Sequence, residues 1–322
     1  MTTADLLGKI LQVVMGLAIF AAVVGLLIFF IDRAPKKGRD YWQLAGFLLP
    51  ALLFISIGLI YPAIRTSILA FQDSSGAWSF DNFVWMFTQP TAIRTLINTV
   101  IWVLLVPTFA TAVGLAYAVF IDRSRGERIY KAVLFMPIAI SFVGAGVIWK
   151  FVYEYRSGDR EQIGLLNAIV VAFGGEPVQW LQTDPINTVL LIVVMIWVQT
   201  GFAMVVLSAA IKGIPTEQIE AAQLDGTNAW QRFMNVTVPG IRGALVVVLT
   251  TISIATLKVF DIVRTMTAGN FNTSIVANEM YTQAFRASEV GRGSALALVL
   301  FILVLPIVLY NVNILRKQRE IR

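Results

Sequence analysis

The chain has 322 residues, 57% of them hydrophobic and only 14% charged, with a formal net charge of +6. Soluble domains carry about 25% charged residues, so most of this surface is not built to face water. There is no cysteine and no histidine, which excludes disulfides and thiolate metal sites and removes the commonest general base and metal ligand.

Seven apolar segments follow one another, at about 11–31, 44–64, 96–121, 132–152, 186–211, 244–267 and 295–315. About 20 residues at 1.5 Å each cross a bilayer, so each is read as a transmembrane helix. The first has no small-residue cleavage site before Asp32 and is read as a retained span. A shorter apolar stretch, 163–173, lies between Gly158 and Gly174-Gly175 and is read as a helix on the external surface.

Basic residues set the expected orientation. The loops 32–43, 122–131 and 212–243 and the tail hold 15 of them: Arg33, Lys36, Lys37, Arg39, Arg123, Arg125, Arg128, Lys131, Lys212, Arg232, Arg242, Arg316, Lys317, Arg319 and Arg322. The alternate segments hold 7. The bias predicts an external N-terminus, a cytoplasmic C-terminus and a cytoplasmic 212–243 loop.

That loop includes IPTEQIEAAQLDGTNAWQRFMNVTVPGIRG, residues 214–243. Thr216 suits an N-cap and Glu217 the first turn of a helix. Glu217 to Leu224 are helix formers, and Gly226 suits the left-handed stop at C′. Thr227 is placed to cap a second short helix running to Asn235, and Pro239 to end it and launch the sixth span. Ile219, Ala222 and Gln223 fall near one face of the first helix, and Ala221 and Ala222 let another backbone approach. A connector with no further role fits the same pattern.

Glu220-Ala221-Ala222, three residues, Gly226, nine residues, then Val236-x-Val238-Pro239 resembles the EAA loop of binding-protein-dependent ABC importer permeases. Asp225 and Phe233 also fit; Thr227, Val236 and Gly243 are mild departures. Other segments are similar to the maltose and α-glucoside type: Phe80-Asp81-Asn82-Phe83, Asn98-Thr99, Gly114-Leu115-Ala116, Pro137, Trp149, Phe260-Asp261-Ile262-Val263, Thr267, Met280-Tyr281 and Ala284-Phe285. The resemblance implies an all-α polytopic fold: a six-helix type I importer core over 41–322, with one extra N-terminal helix and its linker over 1–40. It implies a multi-pass protein of the bacterial inner membrane that imports a sugar by alternating access. The implied partners are a second homologous permease, two copies of a cytoplasmic ATP-binding subunit, an extracytoplasmic sugar-binding protein and membrane lipid, with no nucleic acid. ATP and Mg belong to the partner ATPase; the chain has no GxxxxGK[ST] phosphate loop. Coupling to the ATPase falls to Glu220, Ala221, Ala222, Asp225, Gly226 and Pro239, with Glu220 pairing with an ATPase arginine.

Counted from Pro239, Ile252, Ala255, Thr256 and Val259 occupy positions that line the midmembrane sugar site in maltose-type permeases. Gln199, Thr200 and Phe202 follow Trp197 in the fifth span. These residues are less polar than such a site needs, and helix packing competes as their role. Lys258, Asp261 and Arg264 are charges in the sixth span; Lys258 lies about 22 Å along it from Gly243. They are expected to form an ion pair or an external gate, Asp261 pairing with either base at i, i+3. Three other classes fit less well. A secondary transporter needs coupling carboxylates or an inverted repeat, an intramembrane enzyme lacks residues to work with, and an ABC permease for a polyamine fits the loop but not the flanking segments.

Overall fold

The computed structural model describes residues 3–32, 39–122, 124–158 and 160–320. Arg33, Lys36, Lys37, Arg123 and Arg322 of the basic set lie outside the described residues. The chain divides into two compact units, 1–66 and 67–322.

The first unit holds α1 (Thr3–Asp32) and α2 (Arg39–Ile55). The latter runs through a π turn (Ser56–Ile60) into α3 (Tyr61–Leu69), which continues into the second unit. Leu44–Leu69 is one apolar run long enough to cross a membrane. Its described side chains before Arg65 are almost all exposed, as expected of a surface whose solvent is lipid.

In the second unit α4 (Asp81–Thr88) precedes α5 (Pro90–Ile121). Pro90 opens α5 at a position whose N–H has no helical partner anyway. After α6 (Glu127–Phe135) the apolar segment expected as one span is broken. A 3₁₀ turn (Met136–Ala139) carries Pro137, Ile140 is extended, and the Ser141 hydroxyl caps the Gly144 N–H at 3.1 Å to start α7 (Phe142–Val152). The two arms meet at 103°. The short helix expected at 163–173 is α8 (Leu165–Ala172), and α9 (Ile186–Lys212) follows. Next come α10 (Thr216–Leu224), α11 (Ala229–Arg232), a π turn (Phe233–Thr237) and α12 (Val238–Gly240), then α13 (Arg242–Leu257), at 69° to the preceding arm. The sixth apolar segment is also interrupted: it stops at Leu257 and resumes as α14 (Asp261–Met266). Finally α15 (Val276–Tyr281) leads through a π turn (Thr282–Arg286) to α16 (Val290–Glu320). Four continuous helices among the described residues are long and apolar enough to span, and the two bent pairs bring the number to six when each is counted as one broken span. With α1 these account for the seven apolar segments.

The core forms where α5 and α9 cross. Trp102, Val106 and Ala110 pack in one cluster with Leu191, Met195, Met204 and Leu207, all fully buried. Lipid supplies no hydrophobic drive between spans, so close packing of small residues must. A Cβ on Gly114 would sit 2.5 Å from the Ala203 Cβ, and one on Gly201 2.5 Å from the Leu134 carbonyl oxygen. Glycine is therefore required at both contacts.

Polar ties close the two ends of this pair. At one end the Asn98 amide donates to the carbonyls of Asn272 (2.6 Å) and Ser274 (2.9 Å), and the Thr99 hydroxyl accepts the Val276 N–H at 2.9 Å. These bonds pin a tight turn in which Ala268, Phe271 and Asn272 all have positive φ. At the other end Lys131 reaches Glu127 (2.7 Å) and Asp122 (3.3 Å), and Lys212 reaches Asp122 at 3.4 Å. The Ser208 hydroxyl donates to Asp122 at 2.9 Å. The last turn of α9 is thus fixed to α5 and α6, immediately before the loop of interest.

Candidate functional site

The loop between α9 and α13 is a closed unit. Ile214, 8% exposed, tucks against Gly240, where an added Cβ would lie 3.2 Å from the Ile214 Cδ1. Entry and exit of the loop are thereby held together. Pro215, extended at ψ 131°, is the N-cap of α10, and Thr216 is its first helical residue. This corrects the expected Thr216 cap: proline presets the entry backbone, and no side chain caps it.

The C-terminal end is a Schellman closure. Gly226 has φ +75°; its N–H donates to the Gln223 carbonyl at 3.0 Å, and the Thr227 N–H donates to the Ala222 carbonyl at 3.2 Å. The Thr227 hydroxyl donates to the same Ala222 oxygen at 2.6 Å. Thr227 therefore seals the first helix instead of capping the second. The second is capped by Asn228, which accepts from the Gln231 N–H while the Gln231 side chain accepts the Asn228 N–H, both at 2.8 Å. That reciprocal box outcompetes a neighbouring threonine. Pro239 does not end the helical path. It sits inside α12, and the break comes two residues later at buried Ile241.

Ile219 and Ala222, three residues apart, turn inward and are half-buried. Gln223, expected beside them, is exposed, as are Glu217, Glu220, Ala221, Asp225 and Gly226. Glu220 makes no ion pair among the described residues. Two apolar side chains of the loop are also exposed: Leu224 on α10 at 89% and Trp230 on α11 at 64%, the latter ring 5.6 Å from that of Phe233. Sequence reasoning missed both. Leu224 lies three residues after Ala221 and four after Glu220, so helical spacing already placed it on their face.

The residues expected along the central pathway are mostly enclosed within this chain. Ile252, Thr256 and Val259 are at most 2% exposed. Thr200 and Thr256 spend their hydroxyls on the carbonyls four residues back, Ile196 and Ile252, both at 2.7 Å. Phe202 and Ala255 are half-buried against the core. Gln199 differs. It is 8% exposed, and its amide has no hydrogen-bond partner among the described residues. In this conformation the set serves packing, with Gln199 alone holding unused polar capacity.

The charges of the sixth span are arranged otherwise than expected. The helix ends at Leu257, with Lys258 as its exposed C-cap, and Asp261 opens the next helix. That break removes the i, i+3 relation between Lys258 and Asp261. No salt bridge among the described residues joins Asp261 to either base. Arg264 lies over the Tyr281 ring at 4.9 Å, and Phe260, Tyr281 and Phe285 stack in sequence at 5.2 and 5.3 Å.

This architecture, with a closed two-helix loop between two long spans, is the transmembrane part of a membrane transport system. Residues 83–319 match the family of binding-protein-dependent transport system inner membrane components, and the chain belongs to that family. It is the permease component of an ABC importer, a membrane subunit and not an ATPase; partner subunits hydrolyse ATP. Among relatives, it is 47% identical to the osmoprotective compounds uptake permease protein GgtC of Synechocystis sp., over 86% of this chain and 100% of that protein. It is 48% identical to the alpha-glucoside transport system permease protein AglF of Rhizobium meliloti, over 83% of this chain and 80% of that one. A chain of a bacterial ABC transporter that imports alginate has the same fold, with TM-score 0.75 and 24% identity over 88% of this chain and 98% of that one.

Proposed function

We propose that this permease imports an α-glucoside or related disaccharide, with the 212–243 loop facing the cytoplasm and carrying the push of ATP hydrolysis. The observation that carries the coupling reading is the outward face of α10. A helix closed at its C-terminal end displays Glu220, Ala221 and Leu224 to solvent, the leucine at 89% exposure. A groove on the ATPase gives that leucine a partner and gives Glu220 an arginine. Asp225 and Gly226 shape the closure. The relative named for alpha-glucoside transport supports an α-glucoside cargo.

Two ATP-binding subunits, which bind ATP and Mg, a second homologous permease and an extracytoplasmic sugar-binding protein complete the assembly. The N-terminus lies outside and the C-terminus inside. Residues 1–40 are an added helix with its linker, and 41–322 form the permease domain. Gln199 and the α13 residues face the sugar when the two permeases part; Lys258, Asp261 and Arg264 stand near the outer gate. A second reading, uptake of an osmoprotective compound, is favoured by the full-length match to GgtC. Proteoliposomes holding the assembled complex, supplied with binding protein, internal ATP and labelled maltose, sucrose, trehalose or glycine betaine, test both. ATP-dependent accumulation of a disaccharide supports the first, accumulation of betaine alone the second, and accumulation driven by an ion gradient without ATP refutes both.

A further inference from the structure

A cavity of about 610 Å³ opens where the end of α7 meets the segment before α9, with Thr265 of α14 on its wall. It is separate from the central residues discussed above. Ligand pockets for small molecules run from about 300 to 1,000 Å³, so it has room for a disaccharide.

Its walls are fixed by one buried residue. Asn167 of α8, 0% exposed, donates to the carbonyls of Glu154 and Val178, both at 3.0 Å. Its oxygen accepts the Val178 N–H at 2.9 Å and the Trp180 indole N–H at 3.0 Å. All four hydrogen-bonding positions of the amide are used. Gly164 lies against Glu154 so closely that a Cβ there would meet the Glu154 carbonyl oxygen at 2.2 Å. The cavity is therefore preformed.

The lining mixes aromatic and polar groups. The Trp180 N–H is engaged by Asn167, so Trp180 turns its polar end away from the cavity and leaves its ring to it, and Phe151, 63% exposed, supplies a second ring. Tyr153 is 2% exposed and its hydroxyl donates to the Leu190 carbonyl at 3.3 Å, so it offers the cavity no hydroxyl. Lys150, Gln179 and Gln182 are exposed, and their side chains have no hydrogen-bond partner among the described residues. Aromatic faces suit the apolar C–H faces of a pyranose, and free amides and an ammonium suit its hydroxyls. The Glu154 carboxylate on the lining is paired with Arg156 at 3.6 Å, which leaves the Lys150 ammonium as the lining charge without an ion-pair partner among the described residues.

We infer that this cavity is a second binding site for a neutral disaccharide, outside the central pathway. The choice of sugar class rests on the proposed function; the site itself rests on the cavity. On the proposed topology it opens outward, where it holds cargo at the outer face of the permease.

The chain has no cysteine, so Gln182→Cys gives a single reporter on the cavity rim. Its rate of maleimide labelling is measured in nanodiscs with maltose, sucrose or trehalose up to about 100 mM, well above the millimolar dissociation constant of a weak site. A Ser75→Cys chain is the control. Saturating sugar should slow labelling of residue 182 about tenfold at ten times the dissociation constant and leave residue 75 unchanged. Adding Lys150→Ala and Gln179→Ala should raise the half-protecting concentration about fivefold or more. Both side chains are exposed, so neither change threatens folding. Protection that ignores those two changes overturns the assignment of the cavity. Labelling that is slow in nanodiscs, fast in lipid-free detergent and indifferent to sugar means a lipid fills it, and overturns the inference. Absent protection in a complex that imports one of the three sugars with ATP defeats this site alone. Protection without uptake of any of them keeps the site and defeats the proposed cargo.

Discussion

Gly226 is the most informative single position in the coupling loop. Its φ of +75° places it in the left-handed region, and a Cβ added there meets nothing within 4 Å. A substitution therefore costs backbone strain and no collision. For alanine that strain is about 1–2 kcal/mol, which lowers the population of the closed loop about 5- to 30-fold relative to alternatives. Asparagine tolerates the region and should cost a few tenths of that. Proline cannot reach φ +75° and also deletes the N–H that bonds the Gln223 carbonyl at 3.0 Å. The expected order of ATP-driven uptake in proteoliposomes is wild type, then Gly226→Asn, then Gly226→Ala, with Gly226→Pro inactive and failing to co-purify the ATPase. The loop lies outside the spans, so all four chains should insert and purify in equal yield. Wild-type uptake by both the alanine and proline chains would refute the reasoning, because it would show that the Schellman closure does not matter to coupling.

Leu224→Asp should abolish ATPase co-purification without lowering the thermal midpoint of the isolated chain, since the side chain is 89% exposed; a lowered midpoint measured in detergent would contradict its placement. Glu220→Ala should lose a charge-assisted contact of about 1.5–3 kcal/mol, read as weaker ATPase association in a pull-down titration, and unchanged association would remove Glu220 from the interface. Gly114→Leu should destabilise the chain through the 2.5 Å approach of Ala203, whereas Gly58→Ala, with nothing within 4 Å, should be neutral; thermal melts in detergent compare the two. Maleimide should label Ser75→Cys but not Thr227→Cys from outside intact cells, and the reverse pattern would invert the topology.

What the sequence made legible follows from the range of the physics involved. The span pattern and the stop of α10 at Gly226 depend on local composition and one local dihedral, and both were readable. Caps were readable in kind but not in place. Pro215 displaced Thr216, and Asn228 displaced Thr227 because Gln231 stands three residues on to complete a reciprocal box. The breaks at 136–141 and 258–260 were hidden inside continuous apolar runs, where hydropathy carries no information about backbone direction. Pro137 and Ser141 were the available signals for the first; Lys258 and Asp261 inside an apolar run were those for the second. Asn167 was the least legible. A lone asparagine in a short apolar helix gives no hint that it ties Glu154 to Val178, because its partners are set by tertiary placement.

The central claim is that α10 docks on an ATPase. In the otherwise cysteine-free chain, Leu224→Cys carrying a benzophenone maleimide, irradiated in the assembled complex in membranes, tests it most directly. The account predicts a cross-link to the ATP-binding subunit that changes in yield when ATP is added, with none formed by the same probe at residue 75. A cross-link from residue 224 to the binding protein, or to no partner while the complex still imports its substrate with ATP, would contradict it.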